Sequence, residues 1–491
     1  MPPLRSYAAI LRAAALAGPD EPAVVTVAPD GTERTLSRAE LDATSDVMAA
    51  GLARLGVAPR SRVAVGLPNG AEHVLACSAV WKLGGCVLPL DPAAPPPERD
   101  GHLALFDPEV VVAHWPDLPG TVTGAQLSDS ARAVPALPDV VADPGKAIGT
   151  GGSTGRPKLL VNDGPWGLTA ELADVLRGFG LAAGDVQLLP GPLYHNFGFD
   201  WCYYGLMLGH TVVLLERFDA GLAVDAIERH RVTTVGFVPT MMRRIAALDG
   251  IRDRDLSSLR EIVHSAGPCP AAVKRDWIEL IGATRVLEAY GASEGYGNTV
   301  IRGDEWLRHP GSVGRGYHCD IRVLDATGAA LPPGEVGEIY MRPHELRPAE
   351  YLGADPLRTP DGFGSVGDLG WLDPDGFLHL ADRRVDLVVS GGVNVYPAEV
   401  EAALADHPQV RDAAVIGLPD EEWGQRVHAV IQLAAGADEP TVGQLTAHCR
   451  ARLAPYKLPR SYEFVAALPR DDGGKLRRAA LVSARVPAAA G

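Results

Sequence analysis

The first half of the chain alternates short, continuously apolar segments with longer segments in which apolar residues recur every three or four positions. The short segments are typical of buried strands, and the longer ones of amphipathic helices. The predicted strands are Val24–Val27, Val63–Val65, Cys86–Leu88, Val186–Leu189, Val212–Leu215, Thr233–Val238 and Ile262–Ser265. Because helical segments separate them, this pattern predicts an α/β fold with mainly parallel sheets covered on both faces.

Local signals define some of these elements more closely. The dipeptide Asp30-Gly31 predicts a hairpin turn. Ser37 followed by Glu40 forms a capping box, which predicts a helix that continues to about Leu55. The proline-rich segment Pro92–Pro97 is expected to be a stiff surface loop.

The pattern changes after about residue 300. Short strands and the tight turns Pro333-Gly334 and Asp375-Gly376 predict a β-rich subdomain. Near the C-terminus the pattern predicts a helix from Pro397, two strands near Ala413–Ile416 and Val427–Ile431, and a helix near 441–453. We therefore expect a large N-terminal domain with mainly parallel, helix-flanked sheets plus a β-rich subdomain, and a small α+β C-terminal domain.

Composition narrows the class of protein. A chain of 491 residues exceeds one ordinary core, so two or three domains are expected. The formal net charge of -16 disfavours nucleic-acid binding, which needs a basic surface. Six scattered cysteines without a C-x-x-C pair indicate reduced thiols. No run of eighteen apolar residues occurs, so we expect a soluble, cytoplasmic protein with no membrane partner.

A glycine-rich segment follows the predicted strand end at Ala147-Ile148. Glycines allow backbone N–H groups to converge on an anion, while hydroxyl side chains and a lysine add further donors. The segment contains Thr150, Gly151, Gly152, Ser153, Thr154, Gly155, Arg156, Pro157 and Lys158. It lacks the Gly-Lys-Ser/Thr of a Walker A loop and the third glycine of G-x-G-x-x-G. By itself the segment therefore indicates either a phosphate-binding loop or a flexible surface loop.

The order Thr-x-Gly-Ser-Thr-Gly-x-Pro-Lys resembles the signature of the AMP-forming superfamily of acyl-CoA synthetases, nonribosomal adenylation domains and luciferases. The resemblance covers nearly the whole chain, because further motifs follow in the family's order. It implies an enzyme that uses ATP and Mg²⁺ to join AMP to a carboxylic acid with release of pyrophosphate, and then transfers the acyl group to CoA.

The resemblance also assigns roles to residues. Tyr290, Gly291, Ala292, Ser293 and Glu294 resemble the family's Tyr-Gly-x-Thr-Glu motif, in which the tyrosine packs on adenine and the glutamate binds Mg²⁺ together with Thr154. Ser265, Ala266 and Gly267 are similar to the adenine-binding turn. Asp368 and Arg383 would bind the ribose, and Lys475 would be the catalytic lysine. Gly391 and Gly392 would line the channel for the CoA thiol.

The acid pocket is expected around Pro192–Asn196, which resembles the family's Pro-Leu-x-His segment, with His195 as a catalytic or gating residue. The predicted pocket residues are Tyr194, His195, Asn196, Phe199, Asp200, Phe237 and Met241. The aromatic segment 197–204 favours a flat or aryl acid, although the same rings could form helix core. Asp200 needs a partner among its apolar neighbours, either a protein cation or an amino group of the substrate.

The resemblance implies an AMP-binding domain with two mainly parallel sheets over residues 1–382, a hinge over 383–386 and a small, mobile C-terminal domain over 387–491. Val385 departs from the Lys or Asp usual in the family's hinge, and its branched side chain is stiffer. Three alternatives to CoA ligation stay open: loading of a separate carrier protein, use of another acid or acceptor such as nitrite or an amine, and a catalytically silent nucleotide-binding module.

Overall fold

The structure is a computed structural model of the full chain. It describes residues 4–130, 137, 139–150, 158–162, 164–267, 269–344, 347–353, 356–383, 386–390, 393–420, 423–453, 455–471 and 474–486.

The described residues form 26 strands and 14 α-helices. The strands are β1 (Arg5–Ser6), β2 (Pro22–Val27), β3 (Glu33–Ser37), β4 (Arg62–Gly66), β5 (Cys86–Pro89), β6 (Val110–Ala113), β7 (Ala147–Thr150), β8 (Lys158–Val161), β9 (Gly167–Leu168), β10 (Val186–Leu189), β11 (Thr211–Leu215), β12 (Thr234–Phe237), β13 (Glu261–His264), β14 (Val286–Gly291), β15 (Asn298–Arg302), β16 (Ser312–Tyr317), β17 (Cys319–Leu324), β18 (Gly337–Pro343), β19 (Glu350–Leu352), β20 (Gly364–Leu372), β21 (Leu378–Arg383), β22 (Val388–Ser390), β23 (Val393–Val395), β24 (Val410–Asp420), β25 (Gly424–Leu433) and β26 (Ser461–Val465). The helices are α1 (Tyr7–Ala17), α2 (Arg38–Arg54), α3 (Ala71–Lys82), α4 (Pro96–Phe106), α5 (Gly124–Ser130), α6 (Ala170–Gly178), α7 (Asn196–Met207), α8 (Ala220–His230), α9 (Pro239–Ala246), α10 (Ala271–Ile281), α11 (Gly303–Trp306), α12 (Pro397–Ala405), α13 (Val442–Arg450) and α14 (Arg478–Ser483).

Thirteen of the described strands join in one mixed sheet, in the order β17-β18-β20-β21-β16-β15-β14-β13-β12-β10-β11-β2-β3. The middle of this sheet, from β14 to β2, is parallel. Its strands read as continuous apolar runs because helices cover both faces. The β-rich segment after residue 300 does not form a sheet of its own, since β15 and β16 pair with β14 and β21 and so extend the main sheet.

A second sheet lies in the N-terminal part of the chain. Its parallel strands β5, β4 and β6 are joined by a single bridge between Val87 and Lys146 to the antiparallel strands β7, β8 and β19. The helix-flanked sheets expected from the sequence are therefore present, and each has a parallel part that antiparallel strands extend.

The described residues from Asp386 to Val486, called here the C-terminal unit, form separate small sheets. Strands β24, β25 and β26 make one sheet, and β22 pairs with β23. Helices α12 and α13 cover the larger sheet through buried side chains that include Val400, Leu404, Val415 and Leu445. Everything from Leu4 to Arg383 is called the large unit.

The predicted start of α2 is confirmed. The capping box of Ser37 and Glu40 is present and opens α2. All six cysteines are free thiols. Within the described ranges, no helix combines the length and apolar character needed to cross a bilayer.

The prediction for Pro92–Pro97 was partly wrong. Helix α4 begins at Pro96, so the last two prolines of this segment belong to the first turn of a helix. Prolines are compatible with that position because N–H groups in a first turn have no intrahelical acceptor.

Candidate functional site

A cleft of about 2730 Å³ opens where several parallel strands of the main sheet end, and the C-terminal unit borders it. The segments that follow the carboxyl ends of β10, β12, β13 and β14 all line this cleft. Ligands of open α/β sheets bind at such carboxyl ends, because loops there project away from the packed strands. The cleft therefore lies where the fold can present polar groups to a ligand.

The turn after β13 contributes Ser265, Ala266 and Gly267 to the cleft. Ala266 has a backbone φ of 69°, in the left-handed region. For a residue with a Cβ atom this conformation costs about 1–2 kcal/mol. The local strain at a small residue indicates that the turn is held in a specific shape by the strands around it.

Tyr290 and Asp368 approach each other across the cleft from two different strands. The Tyr290 hydroxyl donates a hydrogen bond of 2.7 Å to Asp368 Oδ2. In the antiparallel pair of β20 and β21, Asp368 lies directly opposite Arg383. The three residues predicted to contact adenine and ribose are therefore neighbours in the structure, although they are far apart in the sequence.

Glu294 lies in the loop that follows β14, together with Ala292 and Ser293. Its carboxylate accepts a hydrogen bond from the Tyr351 hydroxyl, and its carbonyl accepts one of 2.8 Å from the Ala349 amide. Burial, followed by the bond to Glu294, raises the pKa of Tyr351. Because Mg²⁺ prefers oxygen ligands and is often held by one carboxylate plus substrate phosphates, this half-buried carboxylate fits such an ion.

The glycine-rich loop connects β7 to β8. These strands form an antiparallel hairpin in which Thr150 lies opposite Lys158, so both ends of the loop are held together. Lys158 lines the cleft. The predicted residues Gly151, Gly152, Ser153, Thr154 and Gly155 lie outside the described residues, as do Arg156 and Pro157.

The loop that carries Lys475 reaches the same cleft from the C-terminal unit. The Lys475 amide donates a hydrogen bond of 2.8 Å to Asp471 Oδ1, and the Arg470 guanidinium donates one of 2.9 Å to the Gly474 carbonyl. A Cβ atom at Gly474 would lie 2.5 Å from Thr240 Oγ1 on α9. The described residues of this loop therefore contact one another, and Gly474 packs closely on the large unit.

The acid pocket matches the sequence prediction only in part. Tyr194, His195, Asn196 and Met241 line the cleft, as does Asp200. The assignments of Phe199 and Phe237 were wrong, because neither lines the cleft and both are completely buried.

Both corrections follow from the direction in which side chains point on a strand and on a helix. Side chains alternate between the faces of β12, so Gly236 and the following Val238 face the cleft while Phe237 packs on Trp277. On α7 the helical period places Phe199 on the core side, against Trp81.

Two aromatic residues of the segment 197–204 line the cleft but were not among the individually predicted pocket residues. Phe197 and Trp201 lie one turn apart on α7 and pack together with ring centroids 5.0 Å apart. Both approach Gly236, where a Cβ atom would lie 3.0 Å from each ring. The spacing of four residues on a predicted helix was the signal that could have identified them.

Asp200 has a protein cation as its partner. The Lys146 ammonium donates hydrogen bonds of 2.6 Å to Asp200 Oδ1 and 2.7 Å to Asn196 Oδ1, and its side chain is only 3% exposed. Burial raises the pKa of Asp200, and the charge of Lys146 opposes that rise. Of the two partners considered from the sequence, a lysine of the chain is therefore the one present.

The remaining predicted residues are only partly described. Gly291 lines the cleft beside Tyr290. Gly391 and Gly392 of the predicted acceptor channel, and Val385 of the predicted hinge, lie outside the described residues.

Two family models match this chain. Residues 11–346 match the family model described as AMP-binding enzyme, and residues 399–475 match AMP-binding enzyme C-terminal domain. A feruloyl-CoA synthase from an Amycolatopsis species is 35% identical over 90% of this chain and 92% of its own length.

Solved structures agree as well. The o-succinylbenzoate-CoA synthetase MenE from Bacillus subtilis, in complex with its acyl-adenylate intermediate, has a TM-score of 0.85 at 29% identity, over 97% of this chain and 98% of that one. The amide bond synthetase McbA from Marinactinospora thermotolerans has a TM-score of 0.79 at 27% identity, over 98% of this chain and 100% of that one. The chain belongs to the AMP-binding enzyme family and is an ATP-dependent, AMP-forming ligase.

Proposed function

We propose that this chain adenylates an aromatic carboxylic acid in the cleft between the large and C-terminal units and then transfers the acyl group to CoA. The observation that carries this proposal is the meeting of Lys475 with Tyr290, Glu294 and Asp368 around one cleft. Each of these side chains has the chemistry that one part of an acid–ATP complex requires.

Adenylation begins with the attack of a carboxylate oxygen on the α-phosphorus of ATP. Both reactants are anions, so positive charge beside the phosphorus lowers the barrier most. In the proposal, Lys475 stabilises the charge that develops there, and Lys158 and the N–H groups of the glycine-rich loop hold the phosphates. Mg²⁺, held by Glu294 with Thr154, would neutralise phosphate charge.

The nucleoside is held by groups on the other side of the cleft. The Asp368 carboxylate can accept hydrogen bonds from both ribose hydroxyls, and Tyr290, which donates to the same carboxylate, keeps it oriented. Arg383, directly opposite in the strand pair, is proposed as a second ribose contact. Ser265, Ala266 and Gly267 would leave room for the flat adenine ring.

The acid is proposed to lie against Phe197 and Trp201, beside His195. These rings, whose planes are tilted by 41° to each other, form an apolar wall, which favours an aryl group over a flexible chain because aromatic rings gain energy from stacked or edge contacts. The relative named as a feruloyl-CoA synthase supports an aromatic acid. Asp200 is already paired with Lys146, so the proposal assigns no amino group to the substrate.

The second half-reaction requires Lys475 to leave and a thiol to enter. We propose that residues 387–491 rotate as a C-terminal domain about a hinge at 383–386, relative to an AMP-binding domain of residues 1–382. Gly391 and Gly392 would then line the approach of the CoA thiol. The chain is proposed to act in the cytoplasm, where both cosubstrates are available.

A different acceptor is the second candidate. McbA, whose fold closely matches this chain, is named as an amide bond synthetase, so an amine acceptor is compatible with the scaffold. A separate carrier protein is a further possible acceptor. Both alternatives share the adenylation step and differ only in the nucleophile.

Pyrophosphate exchange with a panel of aryl, amino-aryl and fatty acids tests the proposal. We expect aryl acids to support exchange best, and CoA to convert the bound acyl-AMP to a thioester. Equal exchange with fatty acids would contradict the aryl pocket. Consumption of acyl-AMP by an amine but not by CoA would favour the second candidate, and exchange with none of the acids would favour a silent nucleotide-binding module.

A further inference from the structure

An arginine of the large unit contacts the same aspartate that holds the lysine loop of the C-terminal unit. Arg243 lies on α9, one turn after Thr240. Its guanidinium is 3.6 Å from Asp412 Oδ2 and donates a hydrogen bond to the Arg411 carbonyl on β24. These contacts join the two units beside the cleft.

Asp412 also binds the loop that carries Lys475. Arg470 donates two hydrogen bonds to its carboxylate, of 2.7 and 2.9 Å, in the paired geometry that makes such contacts strong and directional. A third nitrogen of Arg470 donates to the Gly474 carbonyl, next to Lys475. A single carboxylate, only 11% exposed in its side chain, therefore receives one arginine from each unit.

The shared carboxylate links the packing of the C-terminal unit on α9 to the position of the loop that carries Lys475. When the C-terminal unit lies on α9, Arg243 adds positive charge to Asp412 and Gly474 packs on Thr240. When the units separate, Asp412 keeps Arg470 but loses Arg243. The free energy of the Arg243 contacts is therefore available only in the arrangement that places Lys475 in the cleft, which shifts the equilibrium toward that arrangement.

We infer that Arg243 and Asp412 are positioning residues that form a latch, which holds Lys475 in the cleft for adenylation and opens for acyl transfer. This inference rests on the proposed function for the identity of the two half-reactions. The latch stabilises one arrangement of the units and takes no part in bond making.

The test uses Arg243→Met, which keeps the aliphatic stem and removes the charge and donors. Arg244→Met is the matched control, because Arg244 is the next residue of α9 and its guanidinium lies 4.8 Å from the centre of the Phe218 ring. Loss of one ion pair and one hydrogen bond is expected to reduce pyrophosphate exchange by about five- to thirtyfold. The rate of thiolysis of supplied acyl-AMP is expected to stay within twofold of wild type or to rise, because the substitution disfavours only the arrangement that places Lys475 in the cleft.

A disulfide between the two units would measure how often they are in contact, and this measurement needs no acid substrate. An ideal Cβ atom at position 474 lies 3.4 Å from Thr240 Cβ, close to the separation of about 3.5–4.5 Å found in disulfides. Because the backbone φ of Gly474 is 77°, a cysteine there is strained, so only rates within the same double-cysteine background are compared. In a Thr240→Cys/Gly474→Cys background, we expect Arg243→Met to slow formation of this crosslink and Arg244→Met to leave it unchanged.

Crosslinking as fast in Arg243→Met as in its parent, or equal loss of both half-reactions, would overturn the latch. Absence of exchange in the wild-type enzyme with every acid would instead count against the proposed function. The crosslinking rates would still decide for or against the latch in that case.

Discussion

The Lys146 ammonium lies 2.6 Å from the Asp200 carboxylate, within a wall of aromatic rings. Lys146 directly precedes β7, the strand that leads to the glycine-rich loop, and Asp200 lies on α7, the helix that carries the proposed wall of the acid pocket. The ion pair therefore ties the strand before the proposed phosphate loop to the helix of the proposed pocket. Such a contact positions two parts of the site through the protein core.

Removal of one member of this pair should destabilise the fold. We expect Asp200→Ala to lower the free energy of unfolding by about 3–5 kcal/mol, because it leaves a buried ammonium without its counter-charge. The double variant Lys146→Met/Asp200→Leu should recover most of that loss, since apolar residues of similar volume can replace a buried pair. Urea denaturation measures both changes.

The exposed pair of Arg252 and Glu279, with both side chains more than 60% exposed, provides the control. Glu279→Ala should change the free energy of unfolding by less than about 1 kcal/mol. A double variant at positions 146 and 200 that is as unstable as Asp200→Ala would contradict this account of the buried pair.

The bond between Tyr290 and Asp368 predicts an effect on ATP. Asp368→Ala should raise the KM for ATP by at least about tenfold, because charge-assisted hydrogen bonds to the ribose are lost. Tyr290→Phe removes only the orienting bond and should have a smaller effect. Steady-state kinetics measure the KM for ATP. The control is Asp375→Ala, which changes an exposed turn residue between β20 and β21. An unchanged KM for ATP in Asp368→Ala would exclude a ribose contact.

The close contact at Gly236 predicts a change in acid selectivity. Gly236→Ala would place a methyl group about 3.0 Å from both Phe197 and Trp201, so the rings must shift. We expect a higher KM for aryl acids and an unchanged KM for ATP. Gly443→Ala on α13, which does not line the cleft, is the matched control, because its methyl group would meet only Thr441 Oγ1, at 3.9 Å; equal effects of the two variants would argue against a pocket wall at α7.

Three buried histidines predict sensitivity to acid. Burial lowers the pKa of His73 to about 3 and that of His210 to about 4, and lowers the pKa of His264 well below its usual value. These groups stay neutral in the folded protein but take up protons in the unfolded chain below about pH 6.5. Stability is therefore present above pH 6.5 and is lost as the pH falls toward 4, at about 4 kcal/mol per pH unit if all three act.

Urea denaturation between pH 7.5 and 5 measures this slope. His73→Gln should reduce this slope by about 1.4 kcal/mol per pH unit, because one proton fewer is taken up on unfolding. His114→Gln should leave the slope unchanged, because the His114 side chain is 52% exposed. A stability that does not depend on pH in this range would contradict the assignment of neutral buried histidines.

The fold was predictable where local chemistry determines an element. The apolar strands, the capping box at Ser37 and the helix that begins at Pro397 all appear as expected. The residues of the pocket could be predicted only where the period of the helix or strand was used to decide which side chains face the cleft. Phe199 and Phe237 were chosen as aromatic residues near the motif, but the helical and strand periods place both in the core.

Contacts between residues far apart in the chain could not be predicted from the sequence. Lys146 is 54 residues from Asp200, and no local pattern indicates that they meet. Arg243 and Asp412 come from different units, so their contact depends on how those units pack. Such pairs follow from tertiary structure, which single-sequence patterns do not encode.

The central claim is that Lys475 serves adenylation alone, and the two half-reactions of Lys475→Ala test it most directly. Pyrophosphate exchange with the best aryl acid should fall by at least about a hundredfold, the loss typical when a charge that stabilises a transition state is removed. Thiolysis of supplied acyl-AMP by CoA should remain close to the wild-type rate. Equal loss of both half-reactions, or full exchange without the lysine, would contradict the account.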